Sequence, residues 1–136
     1  MLHGGTSSIC ALGGPPDADH WKVSLAAPER LGQMPVVTLR DESLSVSAVW
    51  GKCFEAHGRT LGHVLDPRTG QPAQRQNRAW ALCDTAAESD ALSTACMVLE
   101  EEEVVQILEV EQNWLVFLED HDEVKILGKR GVPVAA

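Results

Sequence analysis

Along much of this chain, apolar and polar residues alternate with a period of two, which is typical of half-buried β-strands. Trp21, Val23 and Leu25 alternate with polar or small neighbours, and Trp80 and Leu82 share one face of the segment 78–84. Polar connections at 40–43 and 119–123 predict two hairpins, one pairing 36–39 with 44–49 and one pairing 114–118 with 124–127. Together with a strand at 6–12, the pattern predicts seven or eight short strands.

After the strand at 78–84 the period changes to that of a helix. Thr85 and Glu88 have the spacing of a capping box, in which the hydroxyl and the carboxylate bind each other's backbone N–H groups. The Ala- and Leu-rich run that follows predicts a helix over 86–99, and a second helix is predicted over 101–110. Because most strands precede the helices, we predict an α+β fold with a largely antiparallel sheet and one or two helices.

Composition and charge narrow the function classes. The 136 residues carry a formal charge of -9, which argues against a nucleic-acid binder or a polybasic membrane anchor. No apolar run approaches the ~20 residues of a membrane span. The four cysteines form no C-x-x-C pair and lie in apolar stretches, so we expect them to pack in the core rather than bind zinc.

The densest polar segment is 62–72, with the sequence GHVLDPRTGQP. Asp66 and Pro67 suit the first two positions of a type I turn, and Gly70 can adopt the positive φ that ends it. His63 lies at the end of an apolar strand, where its imidazole can face a cleft and act as a general base. The alternative is a purely structural turn whose Asp and Arg side chains bond backbone groups.

A second candidate site lies on the capped helix. Asp90 and Thr94 are four residues apart and therefore share a face, where a carboxylate and a hydroxyl offer two hard oxygens to Mg²⁺. The alternative is a solvated Asp and a Thr bonded back to its own helix. Two weaker candidates are the segment 4–8 (GGTSS), whose small residues allow backbone N–H groups to approach a phosphate, and Ser47.

In their order along the chain, the segments 4–8 (GGTSS), 45–47 (SVS), 63–72 (HVLDPRTGQP) and 89–95 (SDALSTA) resemble the C-terminal half of the FAD:protein FMN transferase family, also called ApbE. The resemblance implies an ApbE-like fold, present in part, and Mg²⁺-dependent transfer of FMN from FAD to a Thr or Ser hydroxyl of a target flavoprotein, with release of AMP. By this resemblance Asp90 and Thr94 match magnesium ligands, with Ser93 beside them.

The same resemblance assigns roles in the turn segment. His63 matches a motif histidine near the FAD diphosphate and is a candidate base for the acceptor hydroxyl, so it is both a catalytic and a cofactor-binding candidate. The backbone around Val64 and Leu65 matches a stretch that contacts the flavin nucleotide. Family members are often periplasmic or attached to the cell envelope, and a cytoplasmic compartment is equally compatible with this chain.

The resemblance covers nearly all of the chain but only half of a typical family member. We therefore expect residues 1–136 to form the C-terminal portion of the transferase domain, with the N-terminal half absent and the site incomplete. A homodimer or a complementing N-terminal half would then cover the sheet edge left unpaired. Two other functions stay open: a non-catalytic flavin- or metal-binding module, and a diphosphatase that splits FAD into FMN and AMP with water as the acceptor.

Overall fold

A six-stranded antiparallel sheet organises the protein. The computed structural model describes residues 1–25, 35–49, 53–56, 58–120 and 123–133, with residues 59 and 60 described in their backbone alone. In spatial order the strands of the sheet are β1 (Leu2–Gly4), β2 (Ser8–Cys10), β5 (Ser43–Ala48), β10 (Arg78–Cys83), β11 (Leu115–Asp120) and β12 (Glu123–Leu127).

Three separate two-stranded hairpins and two helices complete the described part of the chain. The hairpins pair β3 (Trp21–Ser24) with β4 (Val36–Leu39), β6 (Cys53–Ala56) with β7 (Arg59–Gly62), and β8 (Leu65–Asp66) with β9 (Gln71–Pro72). The helices α1 (Ala86–Ala95) and α2 (Glu101–Val110) connect β10 to β11. This architecture confirms the predicted α+β class with a mostly antiparallel sheet. In the part of the chain that the structure describes, no helix has the length and apolarity needed to cross a bilayer.

The alternation within β10 divides the core into two layers. Trp80 and Leu82 point to one face, where they pack with Phe117 of β11 and with Val37 and Leu39 of β4. The intervening residues of β10 point to the opposite face, which α1 and α2 cover. The buried residues of that second layer include Ala79, Ala81, Cys83, Leu92, Cys96, Val104 and Leu108. The predicted common face of Trp80 and Leu82 is therefore confirmed.

The sheet surface beneath α1 is built from small side chains. Ser45 and Ser47 of β5 lie directly opposite Ala81 and Ala79 of β10. Because none of these side chains is larger than a serine, the helix can pack close to the sheet. The close packing places the Ser89 hydroxyl of α1 2.8 Å from the Ser45 hydroxyl, and both residues are fully buried.

The helix α1 begins as predicted and ends earlier than predicted. The backbone N–H of Glu88 donates to Thr85 Oγ1 (3.3 Å), and the backbone N–H of Thr85 donates to Glu88 Oε2 (3.0 Å), which confirms the capping box. The predicted extension of the helix to residue 99 is wrong, because the N–H of Met97 bonds the carbonyl of Thr94 and the N–H of Val98 bonds that of Ala95. These bonds span three residues and tighten the chain into a turn. The helix predicted over 101–110 is α2, with the bounds expected.

The strands differ from the prediction in number and in pairing, because the described residues form twelve strands where seven or eight were predicted. The hairpin between 114–118 and 124–127 is confirmed as β11 and β12, but the hairpin between 36–39 and 44–49 is wrong. The strand β4 pairs with β3, while both edges of β5 are occupied by β2 and β10. The strand β1, which pairs with β2, lies in a stretch where no strand was predicted.

The four cysteines lie in three environments, and Cys10 of β2 is half-buried. Cys83 and Cys96 are buried, as expected for core residues, and burial raises the pKa of each thiol to about 12. Cys53 is exposed at the start of β6, so the expectation that it packs in the core is wrong. A local apolar context predicted burial here, but the hairpin of β6 and β7 does not pair with the main sheet.

We expect the small-residue surface beneath α1 to be intolerant of larger side chains. Ala81→Leu adds three carbons at a fully buried position opposite Ser45, so it should lower the free energy of unfolding by about 1–3 kcal/mol. The matched control is Ala91→Leu on the exposed side of α1, which should change it by less than about 0.5 kcal/mol. Urea unfolding followed by circular dichroism measures both. Equal effects of the two substitutions would contradict the close approach.

Candidate functional site

Asp90 and Thr94 lie one turn apart on the exposed side of α1. The capping box at Thr85 fixes where the helix begins and therefore which residues face outward. Leu92 and Cys96 point into the core on the other side of the helix. The structure thus brings the two candidate metal ligands together on an accessible surface.

The Thr94 hydroxyl is oriented by two neighbours. Its Oγ1 donates to the backbone carbonyl of Asp90 at 3.1 Å, which is the back-bonding that the sequence left as an alternative. The Ser47 hydroxyl of β5 lies 3.0 Å from Thr94 Oγ1 and 3.0 Å from Ser93 Oγ. A hydroxyl has one hydrogen and two lone pairs, so Thr94 can accept from Ser47 and still keep a lone pair for a cation. Back-bonding and metal binding are therefore compatible at Thr94.

The Asp90 carboxylate accepts a hydrogen bond from a side chain of the sheet. The Ser8 hydroxyl of β2 lies 3.2 Å from Asp90 Oδ1. Among the described residues, no basic side chain forms an ion pair with Asp90. A charged oxygen donor on an exposed helix face is a suitable ligand for a hard cation.

The turn between β8 and β9 forms as the sequence predicted. The backbone N–H groups of Thr69 and Gly70 bond the carbonyl of Asp66 at 3.2 and 2.7 Å, and Gly70 has φ 68°. The Arg68 guanidinium donates two hydrogen bonds of 3.0 Å each to the Asp66 carboxylate. These bonds, joined by a 2.9 Å bond from the Arg68 backbone N–H, hold the pKa of Asp66 below its ordinary value. The same pairing raises the pKa of Arg68.

Arg68 also connects the turn to the helices. Its Nη2 donates to the carbonyl of Val98, just after α1, at 2.7 Å, and its Nη1 lies 3.5 Å from Glu103 of α2. One arginine side chain thus joins the turn segment to the residues just after α1 and to α2. The structural role that the sequence left open for Asp66 and Arg68 is therefore present, and it does not exclude a chemical role for their neighbour His63.

His63, Val64 and Leu65 occupy the connection between β7 and β8. His63 is exposed and follows Gly62, which lines a cleft of about 300 Å³ with Ala73 and Gln74. The Val64 side chain is buried, and its carbonyl accepts from the Ala73 N–H at 2.8 Å. Leu65 is 53% exposed. The side chains that this stretch exposes are therefore those of His63 and Leu65.

Sequence reasoning understated three residues of this site. Ser8 and Ser47 were weak candidates for ligand contact, yet their side chains bind Asp90 and Thr94. The signal for Ser47 was the spacing of Ser43, Ser45 and Ser47, which places three hydroxyls on one face of a strand. Arg68 was considered only as part of a local turn, and no sequence signal indicated its bond to Val98.

The oxygen donors on α1 fit Mg²⁺ better than they fit a transition metal. In residues 1–25, 35–49, 53–56, 58–120 and 123–133, no group of three or more His, Cys, Asp or Glu side chains could enclose an ion. Mg²⁺ commonly takes one or two protein oxygens and completes its shell with phosphate oxygens and water. One carboxylate and one hydroxyl are therefore a plausible protein share of a site that also holds a phosphorylated ligand.

Several known proteins resemble this chain in sequence and in fold. The FAD:protein FMN transferase of Treponema pallidum is 37% identical over 82 residues, which are 58% of this chain and 23% of that protein. The crystal structure of the Pseudomonas stutzeri flavinyl transferase ApbE, in its apo form, superposes with a TM-score of 0.64 and 26% identity. That match covers 93% of this chain and 42% of the other. The chain therefore spans less than half the length of the relatives it matches.

A second solved structure supports the fold alone. The ApbE protein from Thermotoga maritima superposes with a TM-score of 0.73 at 22% identity, over 89% of this chain and 40% of that chain. The ApbE family model matches residues 2–118, which include β1 to β10, both helices and the start of β11. This chain belongs to the ApbE family.

Proposed function

We propose that this chain contributes the magnesium-binding and acceptor-activating part of a flavin transferase, which moves FMN from FAD to a Thr or Ser hydroxyl of a target flavoprotein. The observation that carries the proposal is the pair Asp90 and Thr94, exposed one turn apart on α1 and held there by hydroxyls of β2 and β5. Relatives named FAD:protein FMN transferase support the reaction class.

In the proposed reaction, the acceptor oxygen forms a bond to the phosphorus of the FMN moiety. The bond between that phosphorus and the bridging oxygen of the diphosphate breaks, and AMP leaves. Bound Mg²⁺ would be held by Asp90 and Thr94 and would offset negative charge on the diphosphate oxygens. His63 would take the proton from the acceptor hydroxyl, because imidazole is the side chain that most often serves as a general base in catalysis.

The position of His63 depends on the turn that follows it. Arg68 fixes that turn through Asp66 and ties it to the carbonyl of Val98, just beyond the metal-ligand helix. A base and a metal site on separate elements must keep a fixed distance and orientation relative to each other to act on one substrate, since catalysis depends on positioning. We therefore include Arg68 as the positioning residue between the two.

We also propose that residues outside 1–136, or a second copy of the chain, complete the site. The matches cover 42% of the Pseudomonas stutzeri structure and 23% of the Treponema pallidum protein, so most of those proteins has no counterpart in this stretch. One carboxylate and one hydroxyl also leave most of a six-oxygen shell to other donors.

The reaction is tested with the protein at its natural length, FAD, Mg²⁺ and a flavoprotein domain that contains an acceptor Thr. Mass spectrometry measures FMN attached to the domain, and chromatography measures AMP. We expect both products in equal amounts. AMP and free FMN without modification of the domain would instead indicate a diphosphatase, and flavin binding without AMP would indicate a binding module.

The metal assignment predicts unequal effects at the two ligands. Asp90→Ala removes the charged ligand and should weaken Mg²⁺ binding by at least about 100-fold, beyond the 10–100-fold typical of outer-shell changes. Thr94→Val removes a neutral hydroxyl and should cost about 10-fold. Titration calorimetry in the presence of FAD measures both, with Glu102→Ala on α2 as a control for the loss of one negative charge. Equal affinity of wild type and Asp90→Ala would show that the metal assignment is wrong.

The base assignment predicts that His63 acts in chemistry more than in binding. His63→Asn should lower the transfer rate by about 10²–10⁴-fold, the usual range for a positioned acid–base group, while FAD affinity changes much less. His20→Asn, at another exposed histidine, is the matched control and should retain the rate. A rate for His63→Asn within a few-fold of wild type would reduce His63 to a structural residue of the turn.

The anchoring role of Arg68 predicts a pH-dependent contribution to stability. The folded-state pKa of Asp66 is lowered. The ion pair therefore contributes its full stabilisation at pH values above the unfolded-state pKa of about 4, and this stabilisation is lost as the pH falls through the folded-state pKa. Arg68→Gln should therefore lower the melting temperature at pH 7, and the gap to wild type should narrow at lower pH. Arg40→Gln, with carboxylates at 3.6 and 3.7 Å, is the control and should show a small gap. A gap for Arg68→Gln that stays constant from pH 7 to pH 3 would contradict the pairing.

A further inference from the structure

The contact between Ser8 and Asp90 joins the edge of the sheet to the candidate metal site. Ser8 Oγ lies 3.2 Å from Asp90 Oδ1, across 82 positions of sequence. An ionised carboxylate can only accept hydrogen bonds, so the Ser8 hydroxyl is the donor. This bond uses one lone pair of Oδ1, and within the described residues no hydrogen bond reaches Oδ2 of the Asp90 carboxylate.

We propose that Ser8 is a positioning residue that fixes the Asp90 carboxylate through Oδ1 and leaves Oδ2 as the oxygen available to the cation. The inference rests on the proposed function, because it takes Asp90 to be a Mg²⁺ ligand. It goes beyond that function by assigning a specific task to a side chain of β2 that binds neither metal nor substrate itself.

A neutral donor suits this task better than a basic one. Arg68 pairs with Asp66 and neutralises its charge, whereas Ser8 orients Asp90 and leaves its charge intact. A carboxylate that keeps its charge and a single orientation loses less conformational freedom when it binds a cation. In this proposal the Asp66 carboxylate anchors the turn through Arg68, whereas the Asp90 carboxylate binds the cation.

The backbone of Ser8 is well placed to hold that orientation. Ser8 lies opposite Ser45 in the pairing of β2 with β5, and the carbonyl of the preceding Ser7 accepts from the Val46 N–H at 2.7 Å. The donor is therefore carried by a strand of the main sheet rather than by a loop.

The test measures Mn²⁺ binding, with Mn²⁺ as a paramagnetic probe for Mg²⁺, by electron paramagnetic resonance on the protein at its natural length with FAD present. Ser8→Ala should weaken Mn²⁺ binding by about 10-fold, the lower end for outer-shell partners because Ser8 is only half-buried. Ser8→Thr keeps the hydroxyl and should bind within about 3-fold of wild type. Circular dichroism confirms that each variant is folded.

The outcomes separate this inference from the function on which it rests. If Asp90→Ala abolishes Mn²⁺ binding but Ser8→Ala binds as wild type does, the positioning role is wrong and the metal assignment stands. If Ser8→Thr loses as much affinity as Ser8→Ala, the effect comes from packing, and the inference is overturned. If Mn²⁺ binding to wild type does not depend on Asp90, both the metal assignment and the inference are wrong.

Discussion

The close packing of α1 on β5 and β10 is the constraint on which the rest of the site depends. The buried pair Ser45 and Ser89 shares one hydrogen bond. Its loss would be costly because it would leave the buried Ser45 hydroxyl without this partner, although Ser89 would keep its bond to the Ala86 carbonyl. A one-residue shift of the helix would break this pair and turn Leu92 out of the core. The rotation of the helix about its axis and its distance from the sheet are therefore fixed. This fixes the positions of Asp90 and Thr94 as well.

A second constraint acts on the turn that carries His63. Local hydrogen bonds from Thr69 and Gly70 to Asp66 are enough to form the turn, but they do not fix its place relative to α1. Arg68 supplies that link, because its guanidinium binds Asp66 and the Val98 carbonyl together. Five donors in a planar fork allow one arginine to satisfy both partners, which a lysine could not do with the same geometry.

Local signals in the sequence predicted the elements better than their partners. The capping box at Thr85 and the common face of Trp80 and Leu82 depend on neighbours a few residues away, and both are confirmed. The hairpin predicted between 36–39 and 44–49 failed because alternation shows that a strand has a buried face but does not identify its partner. The spacing of Asp90 and Thr94 likewise placed them on one face. Their contacts with Ser8 and Ser47, 82 and 47 residues away, depend on the folded sheet.

The candidate site combines rigid supports with exposed reactive groups. The Thr94 hydroxyl and the Asp90 carboxylate each form a hydrogen bond within the protein, with Ser47 and Ser8 respectively. Their remaining lone pairs face solvent. Groups bound on all sides would be inert, and groups bound on none would sample many orientations before meeting a ligand. Partial satisfaction gives orientation without loss of reactivity, and it requires partners from different strands. A binding site of this kind therefore follows from the sheet order β2-β5-β10, in which the strand that carries Ser8 lies beside the strand that carries Ser47.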